Sequence, residues 1–472
     1  MHMLSLRTIG VAGLLCVAGS AHASTIMSWN DALLDGYRST QGVSPPALAR
    51  AGAIVQTSVF DAVNSIVGGY APKYSHFSTP DADRDAAVVS AAHATLSAMF
   101  GSGVGNAAFQ AQLDAKRAAD LGAIPDSMAK LKGINLGLAT ASATLAARAG
   151  DGAEGSESYT PGTNPGDWGA DYAGGDPMRG VGYQFRNATT WVMSGHDQFR
   201  PPAPHAMDSA EYAAEFNEVK ELGSAGSASR STDQTLQAWF WGNDRDSTYK
   251  PPGHMNVFAR AVADSRPDIM GAEGSDEQAI NEARLLALVN IALADAGICA
   301  WDAKYSPEYQ HLWRPIEGIR KADTDGNAGT DADPDWEPLS HMGVGGPDFT
   351  PGFPAYVSGH ATFGAAQAAI LRNFFGTDAI DVHLTTDDVD FHALAGGDPG
   401  ASLHYTSLTQ AAIDNGLSRI YLGVHWRQDA TYGYIGGTSV GDWVYANSLQ
   451  VPAPGTAAVV GMIGVLGLRR RR

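Results

Sequence analysis

Apolar residues recur at three- and four-residue spacing through most of this chain, which is the pattern of a helix with one buried face. Pro45, placed after Ser44 as a candidate N-cap, marks the start of an early helix. The same spacing continues in four later segments, at residues 85–100, 109–121, 128–148 and 276–303. The pattern predicts an all-α protein in which the early helices form a scaffold bundle.

A stretch rich in glycine, proline, aspartate and tyrosine separates the helical patterns, at residues 151–205. This composition is typical of a long ordered loop or a domain linker. After it, three segments have the form of a capping box or a near relative, starting at Asp208, Ser231 and Ser275. We therefore expect an N-terminal helical scaffold at 24–150 and a second, catalytic helical domain at 206–449.

Both ends of the chain have the composition of targeting segments, which we do not expect to be part of the fold. Residues 1–23 combine Arg7, an apolar run and Ala21-x-Ala23, which indicates a secretory signal cleaved after Ala23. The apolar run is too short to span a membrane. Residues 450–472 join a proline motif, a short apolar run and four terminal arginines.

This C-terminal tail resembles the PEP-CTERM sorting signal, although Val-Pro-Ala-Pro stands where that signal has Val-Pro-Glu-Pro. The resemblance implies processing by an exosortase-type enzyme. It also implies a location at the cell surface, in the outer envelope or in the extracellular matrix of a Gram-negative bacterium. A plain anchor helix is the alternative interpretation of the tail.

The charge and the cysteines exclude several classes of partner. The formal net charge of −19 argues against nucleic acid or an anionic membrane surface, so any anion site must be locally basic. Once Cys16 leaves with the signal, Cys299 has no partner for an intrachain disulfide, and a cysteine-ligated zinc site is excluded. The acidic residues 323–337 lack Gly and Glu at the EF-hand positions, so we interpret them as a solvated loop.

A first candidate site lies where a proline-punctuated loop meets a helix. Pro351 and Pro354 precede Ser358, the candidate N-cap, and Gly359 allows close approach of the backbone. Unpaired N–H groups at such a helix start favour a bound anion, with which His360 could exchange a proton. For this motif alone, a capped helix with an incidental histidine is the simpler interpretation.

A second cluster follows about sixty residues later. Arg419 and His425 are six residues apart, so one straight helix cannot direct both side chains to one point. Gly423 offers a helix break between them. Asp429, four residues after His425, lies on the same helical face and can hold the imidazole in one tautomer.

A third cluster lies upstream, where Trp301-x-x-Lys304 is followed by Trp313, Arg314 and a proline. Two arginines, a lysine, a helix N-terminus and two histidines suit a tetrahedral oxyanion such as phosphate or vanadate. Each cluster alone is a weak signal, whereas the three in this order are a strong one.

Together the clusters resemble the signature of the type-2 phosphatidic acid phosphatase and haloperoxidase superfamily, K-x6-RP, PSGH and SR-x5-H-x3-D. The segments WxxK, WRP, FPAY, SGHATFG and VHWR extend the resemblance to the vanadium chloroperoxidases. Two departures stand out. Lys304 and Arg314 are ten residues apart rather than seven, and Val357 replaces the proline before SGH.

The resemblance implies the helical-bundle fold of vanadium haloperoxidases and acid phosphatases. It also implies an enzyme that uses vanadate and hydrogen peroxide to oxidise halide to a hypohalous acid equivalent, which halogenates a small organic acceptor. His425 would be the vanadium ligand, His360 the acid–base group, and Lys304 would polarise the bound peroxide. The resemblance also implies a halide pocket formed by Trp301 and Phe353. Asp429 would hold the His425 ring, and Asp244 (with Asp246 as the other candidate) would pair with Arg419. The implied oxyanion-binding residues are Lys304, Arg314, Ser358, Gly359 and Arg419.

Two other functions remain open from the sequence. The same residues suit a phosphatase, in which His425 attacks phosphorus and His360 protonates the leaving group. A non-enzymatic exported surface protein that kept the fold is the third possibility. The wide chloroperoxidase-like match favours the oxidase over both.

Overall fold

The computed structural model describes residues 24–101, 106–155, 157–169, 180–309, 312–343 and 350–452. The described residues are 59% helix and 4% strand, so the predicted all-α class is confirmed. The predicted signal at 1–23 and all but the first three residues of the tail at 450–472 lie outside the described residues.

Fifteen α-helices and two strands occur in these described ranges. The helices are α1 Thr25–Arg38, α2 Pro45–Val67, α3 Arg84–Phe100, α4 Ala107–Ala123, α5 Met128–Arg148, α6 Ala210–Leu222, α7 Thr232–Gly242, α8 Lys250–Asp264, α9 Pro267–Met270, α10 Asp276–Lys304, α11 Pro315–Arg320, α12 Gly359–Phe375, α13 Val389–Leu394, α14 Leu408–Tyr421 and α15 Arg427–Asn447. The strands are β1 Ala379–Thr385 and β2 Ser402–Ser407, which pair antiparallel.

Side-chain caps start several helices where the sequence predicted them. Ser231 and Gln234 form a complete capping box at α7, and Ser275 accepts a hydrogen bond from Gln278 N at α10. At α6 the prediction is one residue wrong, because Ser209 rather than Asp208 is the N-cap. The sequence analysis did not identify α1 or the β-hairpin.

The longest helix, α10, forms the centre of the hydrophobic core. Its residues from Leu285 to Lys304 are buried throughout, and it packs against α2 and α12. By length and composition it is the one helix of the described residues that could cross a membrane, and its apolar window is wholly buried inside the fold.

Glycines let α15 lie unusually close to α12. A Cβ built on Gly437 would be 2.2 Å from Thr362 O, and one on Gly441 would be 2.4 Å from Ala366 O. A hydrogen bond from Ser358 N to Asp429 O (3.0 Å) joins the starts of the two helices. This contact brings together the two sequence clusters that lie about sixty residues apart.

Candidate active site

The start of α12 provides the helix N-terminus of the site. Ser358 is fully buried and its hydroxyl accepts a hydrogen bond from Ala361 N at 3.4 Å, which confirms the predicted N-cap. The backbone N–H groups of Gly359 and His360 have no acceptor among the described residues. A side chain at position 359 would meet Trp301, because a Cβ built on Gly359 lies 3.4 Å from that ring. The helix start therefore presents unpaired donors to an anion.

The last residue of α10, Lys304, is directed into the same region and is fully buried. Its ammonium group donates to Pro354 O (2.8 Å) and Ala355 O (3.0 Å), which leaves one of its three N–H donors for a ligand. Lys304 Nζ and Arg314 Cζ each lie 4.7 Å from the centroid of the Phe353 ring. The ten-residue spacing of the two cations therefore does not keep them apart.

Arg314, the N-cap of α11, connects the proline loop to the second histidine. Its Nε donates to Phe353 O at 2.8 Å, and its Nη1 donates to Val424 O at 2.8 Å. The same Nη1 lies 3.2 Å from His425 Nε2. These bonds hold the guanidinium between the two segments that carry the site.

Arg419 is buried, and two of its three guanidinium nitrogen atoms have no hydrogen-bond partner among the described residues. Its Nη2 donates to Asp244 Oδ2 at 2.7 Å, so the sequence expectation that Asp244 pairs with this arginine is confirmed. Asp246 contacts Lys250 instead, at 3.3 Å. Within the described chain, Nε and Nη1 of Arg419 are buried and have no hydrogen-bond partner. Buried unpaired donors are costly, and a bound oxyanion would satisfy them.

His425 lies in the turn between α14 and α15, which Gly423 makes possible with a φ of 74°. His425 Nδ1 is 2.9 Å from Asp429 Oδ2, and this oxygen also accepts from Trp426 N at 2.9 Å. Because a carboxylate oxygen accepts, the imidazole proton is assigned to Nδ1. Nε2 then carries the lone pair and accepts a hydrogen bond from Arg314 Nη1 at 3.2 Å, which a ligand atom bound to Nε2 would replace.

His360, in the first turn of α12, has a different environment. Its Nε2 lies 3.0 Å from Gly242 O and 3.7 Å from Asp244 Oδ1. Burial and the neighbouring Arg419 charge lower the pKa of His360 to about 4. The imidazole is therefore neutral near pH 7 and can accept a proton.

Excess positive charge dominates the electrostatics of the cluster. Burial and the Arg314 charge lower the pKa of Lys304 well below its usual value, and burial lowers the pKa of Arg314 to about 9. Burial and Arg314 also lower the pKa of His425, while burial raises the pKa of Asp429 against the lowering effect of Trp426 N and of the Lys304 and Arg314 charges. A bound anion would relieve the repulsion among these cations.

The residues present fit a tetrahedral oxyanion rather than a bare cation. In the described ranges, no three His, Cys, Asp or Glu side chains come together as ligands for a metal cation. The cluster instead offers guanidinium, ammonium and backbone donors around the unprotonated Nε2 of His425. That donor set suits vanadate or phosphate.

The predicted halide-pocket residues lie side by side at the edge of the cation cluster. The rings of Trp301 and Phe353 have centroids 4.9 Å apart. The indole N–H of Trp301 donates to Val181 O at 2.8 Å, so Trp301 offers its apolar ring and not a hydrogen bond. The sequence analysis missed Val181 and Gly242 because both act through backbone carbonyls, which carry no side-chain signature.

Comparison with known proteins identifies the relatives of this chain. Residues 284–452 match the family model described as the VCPO second helical-bundle domain. The chain is 32% identical over 274 residues to a vanadium chloroperoxidase of Curvularia inaequalis. That alignment covers 51% of this chain and 44% of the relative, so it spans less than half the length of that protein.

Two solved structures share the fold over most of the chain. The first bacterial vanadium-dependent iodoperoxidase aligns with a TM-score of 0.70 at 20% identity, covering 91% of this chain and 97% of the other. A holo-type bacterial vanadium-dependent chloroperoxidase aligns with a TM-score of 0.64 at 18% identity, covering 86% and 92%. Residues 284–452 therefore match the VCPO second helical-bundle domain, and the chain shares the fold of these two vanadium-dependent haloperoxidase structures.

Proposed function

We propose that this protein is a vanadate-dependent haloperoxidase that uses hydrogen peroxide to oxidise halide to a hypohalous acid equivalent. The observation that carries the proposal is the environment of His425. A neutral imidazole lies in a pocket that is rich in buried cations, and its unprotonated Nε2 faces Arg314, 3.2 Å from Nη1. A single nitrogen ligand surrounded by oxyanion-binding groups suits vanadate.

The N–H groups that have no hydrogen-bond partner indicate which residues would hold vanadate. Arg419 would contribute Nε and Nη1, Lys304 its remaining N–H, and Gly359 its backbone N–H, with Ser358 and Arg314 completing the cradle. When bound, vanadate supplies a Lewis acid that activates hydrogen peroxide toward halide without a change in the metal's oxidation state. Asp429 keeps the His425 proton on Nδ1, and Asp244 holds Arg419 in place.

His360 would move protons at this site. Because its lowered pKa leaves it neutral near pH 7, it can take a proton from hydrogen peroxide and return it later. The contacts with Gly242 O and Asp244 Oδ1 on one ring nitrogen stabilise the protonated form when it arises. The positive charge of Lys304 would then withdraw electron density from the peroxide oxygen that reacts with halide.

Halide and the organic acceptor would meet the apolar edge of the site at Trp301 and Phe353. The relatives include both a chloroperoxidase and an iodoperoxidase. Chloride, bromide and iodide therefore all belong in the first assay, with a small organic acceptor to trap the product.

A direct assay separates the haloperoxidase from the phosphatase that the same residues could support. Protein starting at Ser24 is tested for halogenation of monochlorodimedone with peroxide and each halide, before and after addition of orthovanadate, beside hydrolysis of p-nitrophenyl phosphate. We expect vanadate-dependent halogenation that His425→Ala abolishes and that His404→Ala, at an exposed position, leaves intact.

Two other outcomes contradict the proposal. Phosphate release that vanadate inhibits, without halogenation of any substrate, would identify a phosphatase. Inactivity in both assays, in folded protein that retains vanadate, would identify a non-enzymatic surface protein.

We also propose that the protein is exported and then sorted through its tail by an exosortase-type enzyme. The sequence patterns of 1–23 and 450–472 support this, and α1 begins at Thr25, immediately after the expected cleavage point. Cell fractionation with and without residues 450–472 tests the proposal. Protein that stays in the cytoplasm in both forms would overturn it.

A further inference from the structure

A cavity of about 200 Å³ lies where the start of α1 meets the N-terminal ends of α3 and α10. Its wall includes Ser24 and three acidic side chains, Asp85, Glu273 and Glu282, with Arg84 at one side. Arg84 is already engaged with Asp276 at 2.8 Å and with Gly274 O. The cavity is therefore acidic, and it lies at the opposite end of α10 from the candidate active site.

Glu282 is the buried acid of this cavity, with 4% of its surface exposed. Its Oε2 accepts a hydrogen bond from the Ser24 hydroxyl at 2.5 Å, and its Oε1 accepts from Gln278 Nε2 at 2.9 Å. No Lys, Arg or His of the described residues lies within ion-pair distance of it. A buried carboxylate that lacks a counter-charge is costly, and burial raises the pKa of this carboxyl.

Ser24 is held in this position by the helix that follows it. Its hydroxyl accepts from Met27 N at 3.2 Å as the N-cap of α1, and Ile26, Met27 and Trp29 are buried in the core. The backbone nitrogen and the hydroxyl oxygen of a serine belong to the same small residue. A charge on Ser24 N would therefore lie within a few ångströms of the Glu282 carboxylate.

We propose that Ser24 becomes the first residue of the mature chain and that its new α-ammonium group binds in this cavity against Glu282. A signal peptidase would use water to hydrolyse the Ala23–Ser24 peptide bond, so that Ala23 leaves with a carboxylate and Ser24 N becomes an ammonium group. That group carries three donors and the positive charge that Glu282 lacks, whereas the uncleaved amide has one donor and no charge.

The helix dipole explains why acidic partners are needed at this position. A positive charge at the N-terminus of a helix is repelled by the dipole, so an ammonium group at the α1 cap is unfavourable without compensation. Glu282 and Glu273 provide that compensation from the wall of the cavity, whereas Asp85 already pairs with Arg84 Nε at 4.0 Å. Removal of the signal would thus stabilise the attachment of α1 to α10.

The inference rests on the proposed export of the protein and is independent of its haloperoxidase chemistry. Intact mass of protein exported with its own leader tests the cleavage, for which we expect a chain starting at Ser24. Any other start overturns the inference. Monochlorodimedone assays on the same preparation report the proposed enzyme function separately.

A double-mutant cycle tests the ammonium pairing. Four proteins are compared by amide hydrogen exchange of α1: chains starting at Ser24 or with one added glycine before Ser24, each with Glu282 or Glu282→Gln. We expect the added glycine to accelerate exchange in α1 roughly 10-fold when Glu282 is present, because it moves the charge away from the carboxylate.

In the Glu282→Gln background the added glycine should have no effect, since no buried charge remains to be paired. Glu273→Gln, which removes an acid at the exposed edge of the cavity, should preserve most of the glycine effect. Equal acceleration with and without the Glu282→Gln substitution, or none in either case, overturns the pairing.

Discussion

Replacing Asp429 by asparagine is the most direct test of how this chain prepares a nitrogen ligand. Asp429 is fully buried, and its Oδ2 accepts both His425 Nδ1–H and Trp426 N at 2.9 Å. Asparagine has the same shape but no charge, and its amide can present an N–H donor to the ring. The imidazole proton can then move to Nε2, which removes the lone pair that a vanadium atom requires.

The expected size of the effect follows from these two bonds. A hydrogen bond to a charged group in a buried site contributes about 1.5–3 kcal/mol, against about 0.5–1.5 kcal/mol for a neutral one. The difference of about 1–1.5 kcal/mol corresponds to roughly a tenfold change in affinity, and the tautomer shift adds to it. We therefore expect Asp429→Asn to weaken vanadate binding by about 10- to 100-fold.

Equilibrium dialysis with orthovanadate measures this affinity without reference to turnover. Asp61→Asn is a matched control, because Asp61 is equally buried and accepts three backbone N–H bonds from residues 73–75, away from the site. We expect that control to lose stability and keep its vanadate affinity. If Asp429→Asn binds vanadate within about twofold of the unmodified protein, the assigned role of the Asp429–His425 pair is wrong.

Three further outcomes follow from the site and its supporting helices. Asp244→Asn leaves Arg419 without its carboxylate, so the melting temperature should fall and orthovanadate should restore more of it than in the unmodified protein. His360 has a folded-state pKa of about 4, below the usual 6.5, so between these pH values the folded state binds fewer protons than the unfolded state. The contribution of His360 to the free energy of unfolding therefore rises by about 3 kcal/mol as the pH increases through this range. Gly437→Ala should destabilise the fold by about 1–3 kcal/mol, because its Cβ would lie 2.2 Å from Thr362 O.

Each of these has a control. For Asp244, the comparison is Asp246→Asn, which removes only a partly exposed ion pair with Lys250. For His360, urea unfolding of His360→Gln between pH 4 and 6.5 should lack this part of the pH dependence, and an unchanged profile would contradict the assignment. For Gly437→Ala, the control is Gly122→Ala, because a Cβ at position 122 would meet no atom within 4 Å and stability should not fall.

Local sequence signals predicted most of the helices and the chemistry that they carry. Ser44 with Pro45, the Ser231 capping box and the Ser275 cap give helix starts that depend on neighbouring residues alone. The break at Gly423 follows from its freedom to adopt positive φ. The sequence also indicated an oxyanion site, because cationic side chains combined with imidazoles are typical of sites that bind oxyanions. These residues are at positions 304, 314, 360, 419 and 425.

The tertiary structure decided which of these residues meet. The insertion between Lys304 and Arg314 left their proximity open until the Phe353 ring was seen to contact both cations. The choice of Asp244 over Asp246 depended on the path of the chain after α7, which no local pattern specifies. Sequence by itself determined the helices and the donor types, because these depend on near neighbours. Only packing of distant helices, such as α12 against α15, could place the donors around one point.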